Sequence, residues 1–328
     1  MVNGIIVYGE NMGKLKVWVL LLVSIIAIVA IVLNFDKIKE QILNLDKKDE
    51  KKLIIGDSNE YTKLYGFKYV NINDQYIPHN VQDIMNIYYS VLNQGWTEFT
   101  FYCPDDYENC LNDIDRISNN EIILSNINDY VHPYNSYASI RTTYDDQGTV
   151  MITIKHVYSD EEIKKIDKDI DRIIADHTDN SQTTMEKIRA LHDYIINETR
   201  YDTDKITNGS SEYDSSRIQG VLYDKHAICS GYADIMSVIL YKLGIQNFKV
   251  SSKNHVWNAV RMDNSWYHLD LTWDDPVSTT GIDTLIDTYF MITTSKLEEI
   301  DENRTEGGEK KPKEEHQFDK KVFSELVI

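Results

Sequence analysis

Residues 229–274 read CSGYADIMSVILYKLGIQNFKVSSKNHVWNAVRMDNSWYHLDLTWD and contain a cysteine, a histidine and an aspartate in that order. Cys229 opens a stretch whose apolar residues recur near helical spacing as far as Gly244, a helix stop. His255 leads a predicted strand, and Asp270 lies in the next one. This order predicts an acyl-transfer site, because a thiol needs a base and the base needs a third group to orient it.

The two predicted strands form a hairpin whose turn lies at residues 263–264. If Arg261 pairs with Trp266, His255 becomes a diagonal neighbour of Asp270 on one face of the hairpin. Such diagonal neighbours have Cβ atoms about 7–8 Å apart, so their side chains can meet. A slip of one residue would place the two side chains on opposite faces, and the hypothesis therefore depends on this register.

Six short pieces follow one another between residues 184 and 276: LHDYI (191–195), YD (201–202), CSGYA (229–233), GI (244–245), HVWN (255–258) and DLTWD (270–274). Together they resemble the transglutaminase-like superfamily, whose papain-like core places a cysteine on a helix and a histidine and an aspartate on adjacent strands. The resemblance implies that Cys229 is the nucleophile, His255 the base and Asp270 the orienting carboxylate. Leu271 departs from the proline of many relatives, which affects no catalytic position.

A zinc site is the main alternative for these residues. His226 and Cys229 have metal-like spacing, and His255, His268 and Asp270 could add ligands. The sequence has no second Cys-x-x-Cys or His-x₃-His pair, so we predict no metal and no cofactor. It also has no glycine-rich phosphate loop and no Gly-x-Ser-x-Gly motif.

Aromatic side chains surround the predicted site. Tyr232, Trp257 and Trp273 are candidate substrate-binding residues, and Trp257 is favoured because it adjoins His255. Core packing is the alternative for each of them, since indole and phenol rings also dominate protein interiors.

The N-terminal part predicts a membrane anchor. Residues 17–35 carry no charge and are long enough to span a bilayer. No Ala-x-Ala cleavage pattern follows, which favours an uncleaved signal anchor with a single pass through the cell membrane. Lysine counts on the two sides would place the large domain inside. Similar anchored transglutaminase-like proteins of Gram-positive bacteria usually face outward, and this resemblance implies an extracellular catalytic domain.

Composition narrows the possible partners. The chain has 328 residues, with 53 acidic and 34 basic side chains and a net charge of −19. This acidity argues against nucleic acid and against anionic lipid as partners. Cys103 and Cys110, seven residues apart, allow either a small disulfide loop or two free thiols, and both remain open.

Patterning along the chain predicts an α+β protein in which the Cys229 helix packs on an antiparallel sheet. Helices are expected at 81–92 and after the capping signals Ser159 and Thr183, and strands at 96–102 and 149–158. The predicted divisions are a short tail (1–16), the anchor (17–35), a charged stalk (36–60), an N-terminal α/β region (61–180), the transglutaminase-like domain (181–290) and a C-terminal tail (291–328).

The resemblance and the residue pattern predict an enzyme that forms an acyl-thioester on Cys229. Hydrolysis of peptide or protein amides is favoured over cross-linking to an amine, and cell-wall peptides are candidate substrates. The alternative is a catalytically inactive surface scaffold or binding module that keeps the fold.

Overall fold

The computed structural model describes Trp18, Asn34, Lys37, Lys39 and the ranges 53–275, 286–303, 305–306, 309–310 and 314–327. None of the helices within these residues is long and apolar enough to cross a bilayer. The predicted anchor at 17–35 lies outside the described residues, apart from Trp18 and Asn34.

The chain divides after Leu53 into two units, and residues 54–328 form the larger, compact one. The described helices of the larger unit are α1 (Val81–Asn93), α2 (Cys110–Ser118), α3 (Glu121–Asp129), α4 (Asp160–His177), α5 (Thr184–Glu198), α6 (Thr203–Asn208), α7 (Cys229–Lys242), α8 (Leu271–Asp274) and α9 (Thr294–Asn303). Its described strands are β1 (Glu98–Tyr102), β2 (Tyr137–Tyr144), β3 (Thr149–His156), β4 (Arg200–Tyr201), β5 (His226–Ala227), β6 (Asn247–Ser251), β7 (Val256–Met262), β8 (Ser265–Leu269), β9 (Thr305–Glu306) and β10 (Glu309–Lys310). A π-helical turn covers Gly220–Asp224, and 3-10 turns cover Pro133–Asn135 and Glu314–His316.

The N-terminal region is built on an antiparallel sheet of order β1-β3-β2. Every second residue of β3 is buried, namely Val150, Ile152 and Ile154, as the alternating sequence predicts. Helix α1 packs against α2 and α3. Cys103 and Cys110 form a disulfide between the end of β1 and the first residue of α2, which decides between the two alternatives left open by the sequence.

The capping signals are confirmed. Ser159 accepts from the Glu162 amide while Glu162 accepts from the Ser159 amide, and Thr183 and Glu186 make the same reciprocal pair at the start of α5. Each box satisfies two amides that a helix start would otherwise leave unpaired.

The region that contains Cys229 is built on an antiparallel sheet of order β6-β7-β8, and α7 packs against β6 and β7. Residues 231–240 of α7 are all buried, so this helix lies inside the core rather than on its surface. Each fully buried side chain such as Met236 or Leu240 stabilises the fold by about 2 kcal/mol relative to an exposed one. The helices and the two three-stranded antiparallel sheets confirm the mixed α and β class.

Two segments hold more structure than their sequence suggested. The stretch 197–219, whose serine, aspartate and glycine residues are typical of a loop, contains β4 and α6. The stretch assigned to a C-terminal tail contains α9, and the side chains of Val322, Phe323 and Leu326 are buried.

Candidate active site

Cys229 is the first residue of α7, and its side chain is partly exposed. The helix starts here because Ile228 is extended and the first intrahelical bond runs from the Tyr232 amide to the Ile228 carbonyl (3.2 Å). The amides of Cys229, Ser230 and Gly231 precede that bond. Such amides, at the positive end of the helix dipole, can hold an oxyanion.

A neighbouring loop fixes this first turn. The Ile228 amide donates to the Ser215 carbonyl (2.9 Å), and the Ser230 hydroxyl donates to the Ser216 carbonyl (3.0 Å). Only glycine fits at position 231, because a Cβ atom there would lie 2.6 Å from the Ser215 carbonyl oxygen. The position of the thiol is therefore set by backbone contacts on both sides of it.

The hairpin has the predicted register, with Arg261 opposite Trp266. Residues 263–264 have φ of 47° and 64°, as a two-residue turn of this hand requires. His255 directly precedes β7 and Asp270 directly follows β8, and their side chains meet: His255 Nε2 lies 2.7 Å from Asp270 Oδ2. The two groups therefore lie on the same face, as the hypothesis required.

Asp270 itself is not a strand residue, which corrects the sequence prediction. Strand β8 ends at Leu269, and Asp270 is the N-cap of α8, with Oδ1 accepting from the Trp273 amide (3.2 Å). Aspartate is favoured at this position because its carboxylate satisfies a first-turn amide. Its other oxygen is left to face His255.

The charges of His255 and Asp270 stabilise each other. Burial opposes the imidazolium, but the Asp270 carboxylate and, to a smaller extent, the Cys229 side chain outweigh it and raise the pKa of His255 to about 10. Burial likewise opposes the carboxylate, but the charge and N–H groups of His255 and His316 hold the pKa of Asp270 below its usual value. Since Nε2 faces Asp270, Nδ1 is the nitrogen left for the thiol. The arrangement brings a thiol, an imidazole and a carboxylate into one series.

Residues 171–271 match the family model of the transglutaminase-like superfamily. This segment belongs to that superfamily. The match confirms the resemblance seen in the six sequence pieces, and it spans Cys229, His255 and Asp270.

No curated protein matches the chain significantly. A solved structure described as the crystal structure of a TGase is 18% identical, with 50% of this chain and 58% of that chain covered and a TM-score of 0.33. The chain thus spans little more than half of that structure.

His316 is a member of the site that sequence analysis missed. It is buried, and its Nε2 lies 2.9 Å from the same Asp270 oxygen that faces His255. It comes from the C-terminal segment, beyond the matched residues of the transglutaminase-like domain. The only local signal was the apolar ending of the chain, which indicates packing but not this contact.

The other histidines considered from the sequence lie outside the Cys229–His255–Asp270 series. His226 stacks on Tyr213 with ring centres 3.9 Å apart. His268 accepts from the Trp257 indole (2.9 Å) and donates to the Thr294 hydroxyl (3.0 Å). Burial, reinforced by the nearby His316, lowers the pKa of His268 to about 3, so this ring is neutral.

Within the described residues, His255, Asp270 and His316 form the group best suited to a metal ion, with candidate ligand atoms within 4.8 Å of one another. The zinc alternative from the sequence did not include His316. All three candidate atoms are engaged in hydrogen bonds to one another, so an ion would have to displace both contacts to Asp270.

The three candidate substrate-binding residues differ in exposure. Trp257 and Tyr232 are each 1% exposed, and their polar atoms bond to His268 and Asp275 (2.5 Å for the Tyr232 contact). This burial favours packing roles for both. Trp273 is partly exposed, with its ring 6.4 Å from that of His255, and it stays the better candidate for substrate contact.

Proposed function

We propose that the transglutaminase-like domain is a cysteine enzyme that cleaves or transfers the acyl group of peptide or protein amides. Cys229 would be the nucleophile, His255 the general base and acid, and Asp270 the group that orients the imidazole. One observation carries the proposal: His255 Nε2 lies 2.7 Å from Asp270 Oδ2, and the Cys229 side chain is close enough to help raise the pKa of the same imidazole. A histidine between a thiol at a helix start and a carboxylate is the arrangement that acyl transfer requires.

In the first step the Cys229 sulfur attacks the amide carbonyl, and the developing oxyanion lies near the first-turn amides of α7. The C–N bond then breaks, and His255 gives its proton to the leaving amine. In the second step an acceptor loses a proton to His255 and attacks the thioester. The C–S bond breaks, and the thiol is regenerated.

Water is the acceptor that we favour, because transfer to an amine requires a site that excludes water. The partial exposure of Cys229 supports this choice. Peptides, including those of the cell wall, are the proposed substrates, and no cofactor is needed for the chemistry.

We also propose that the protein is anchored in the cell membrane by residues 17–35, with this domain outside the cell. The Cys103–Cys110 disulfide supports an oxidising location, since such bonds are rare in reducing cytosol.

The test is incubation of a peptide library with the protein, with and without an amine donor, followed by mass spectrometry. Hydrolysis predicts cleaved or deamidated products in both cases, whereas a transferase predicts donor adducts. Cys229→Ala must abolish either product.

Thiol labelling supplies an independent control. The chain has three cysteines and two form the disulfide, so a thiol probe reports on Cys229 alone. Rapid labelling below pH 8 supports the enzyme. Labelling as slow as that of a simple thiol, together with no turnover of any peptide, would favour the inactive scaffold.

A further inference from the structure

The C-terminal segment, residues 314–327, docks directly onto the candidate active site. His316 reaches Asp270, while the ring of Phe318 lies 6.1 Å from that of Trp257 and 5.5 Å from that of His268. These three contacts are made to the face of the hairpin that carries the catalytic candidates. The segment therefore forms part of the wall around Asp270.

Several further contacts hold this segment in place. The Thr294 hydroxyl donates to the Leu326 carbonyl (2.7 Å), and the Tyr130 hydroxyl donates to the Val322 carbonyl (2.6 Å). The Phe323 ring is stacked with that of Phe248 at 6.2 Å. Thr294 begins α9, Tyr130 directly follows α3 and Phe248 lies in β6. The position of His316 is therefore determined by a docked element rather than by its own side chain.

We infer that His316 is a positioning residue for the proposed acyl-transfer reaction: it holds the Asp270 carboxylate in the orientation that serves His255. This inference rests on the proposed function of Cys229 and His255. It assigns a role to a residue outside the segment that matches the transglutaminase-like superfamily.

The geometry at Asp270 carries the inference. Oδ2 receives the Nε2–H groups of both His255 (2.7 Å) and His316 (2.9 Å), and Oδ1 receives the Trp273 amide (3.2 Å). One carboxylate oxygen offers two lone pairs, and both are used here. Rotation of the carboxylate would break all three bonds, so it is fixed before substrate arrives.

The surroundings of His316 argue against a purely structural role. The ring centres of Trp257, Tyr289 and Trp273 lie 5.3, 5.0 and 5.7 Å away. An apolar side chain would fill this aromatic site without the desolvation cost of an imidazole. The cost is offset by the bond to Asp270 and by Nδ1, which lies 3.3 Å from Asp301 Oδ1.

The test compares His316→Phe with His316→Gln in the full chain. Phenylalanine keeps an aromatic ring but removes both ring nitrogens, whereas glutamine retains a donor near the position of Nε2. For His316→Phe we expect kcat to fall about 10- to 100-fold with KM nearly unchanged, because a hydrogen bond to a charged group is lost. His316→Gln should recover much of that loss.

The alkylation rate of Cys229 against pH gives a readout that needs no substrate. In His316→Phe the fall of the alkylation rate on the acid side of the profile (the acid limb) should occur at higher pH. Asp270 is then less well held as the carboxylate that supports the proposed ion pair of Cys229 and His255. The charged and titratable groups that also act on Asp270 and its surroundings are the same in all variants: His255, His268, Asp274, Asp301 and Tyr201.

Phe323→Leu is the matched control, since it weakens docking of the segment without contact to Asp270. It should lower the melting temperature and leave the acid limb of Cys229 alkylation at the wild-type pH.

An unchanged acid limb in His316→Phe would overturn the positioning role. Loss of wild-type activity in a chelator would also overturn it, because His316 would then be a metal ligand. Rapid alkylation with no turnover of any peptide would instead count against the proposed function alone.

Discussion

The carboxylate of Asp270 caps helix α8 by accepting the Trp273 amide at 3.2 Å, and this contact uses the oxygen that does not face His255. A helix cap and a proposed catalytic group are thus one side chain. Strand β8 delivers the residue to the site, and the helix start holds its orientation. A substitution can separate the two roles, because an amide oxygen still caps a helix but carries no charge.

Asp270→Asn is expected to keep the fold and lose most of the activity. The asparagine side chain can still accept the Trp273 amide, but His255 loses its counter-charge and its preferred tautomer. We expect turnover to fall by about 10³- to 10⁴-fold, with a small change in melting temperature. Steady-state kinetics and thermal unfolding measured on the same preparations check this.

Asp270→Ala is the comparison variant. It removes the cap as well, which should lower the free energy of unfolding by about 1 kcal/mol more than the asparagine variant does. Equal stability of the two variants would show that the capping contact contributes nothing.

Stability should depend on pH through His255. Its pKa is raised from 6.5 to about 10 in the folded protein, so the folded state binds the proton more tightly than the unfolded state. The resulting stabilisation is complete below about pH 6.5, falls as pH rises from there to about 10, and is absent above that. Urea unfolding at several pH values measures it.

Other buried groups titrate across the same range, so a difference between two proteins is needed. Burial lowers the pKa of Lys63 to about 7, which makes its contribution change in the opposite direction with pH. In His255→Gln the His255 contribution is removed and the Lys63 contribution stays. The difference in unfolding free energy between wild type and His255→Gln should therefore shrink steadily from about pH 6.5 to 10. A constant difference would contradict the raised pKa of His255 beside Asp270.

Much of the site could be predicted because its residues lie on elements with strong local signals. The turn at 263–264 fixed the hairpin register, and the register placed His255 beside Asp270. His316 could not be predicted in this way. Its contact with Asp270 joins residues 46 apart in the chain and depends on how the C-terminal segment packs, which no local periodicity records. Trp257 was favoured for substrate contact over core packing, but it is 1% exposed and its indole donates to His268, a residue that had been considered only as a possible zinc ligand.

Gly231→Ala should destabilise the protein although alanine normally favours a helix by about 1 kcal/mol over glycine. A Cβ atom would lie 2.6 Å from the Ser215 carbonyl oxygen and 3.2 Å from that of Arg217, so the loop must move. We expect a loss of about 1–3 kcal/mol in unfolding free energy and slower alkylation of Cys229.

Ser230→Ala serves as the neighbouring control for this effect. It removes the bond to the Ser216 carbonyl without any clash and should cost only about 1 kcal/mol. If Gly231→Ala is as stable as wild type, the loop does not constrain the first turn of α7.

Replacing both disulfide cysteines, Cys103→Ser with Cys110→Ser, separates overall stability from the reactivity of the site. The two residues are seven apart, and closing so short a loop lowers the entropy of the unfolded chain by an amount worth about 2.5 kcal/mol. We expect the double variant to unfold at lower urea concentration.

The disulfide joins β1 to α2 in the N-terminal sheet region, so the alkylation rate of Cys229 should stay at the wild-type value. This variant also leaves Cys229 as the single cysteine of the chain, which makes labelling specific to Cys229 even after treatment with a reductant. Equal stability of wild type and double variant under oxidising conditions would show that the purified protein does not form the bond. A slower Cys229 reaction would show that the N-terminal sheet region helps to position the thiol.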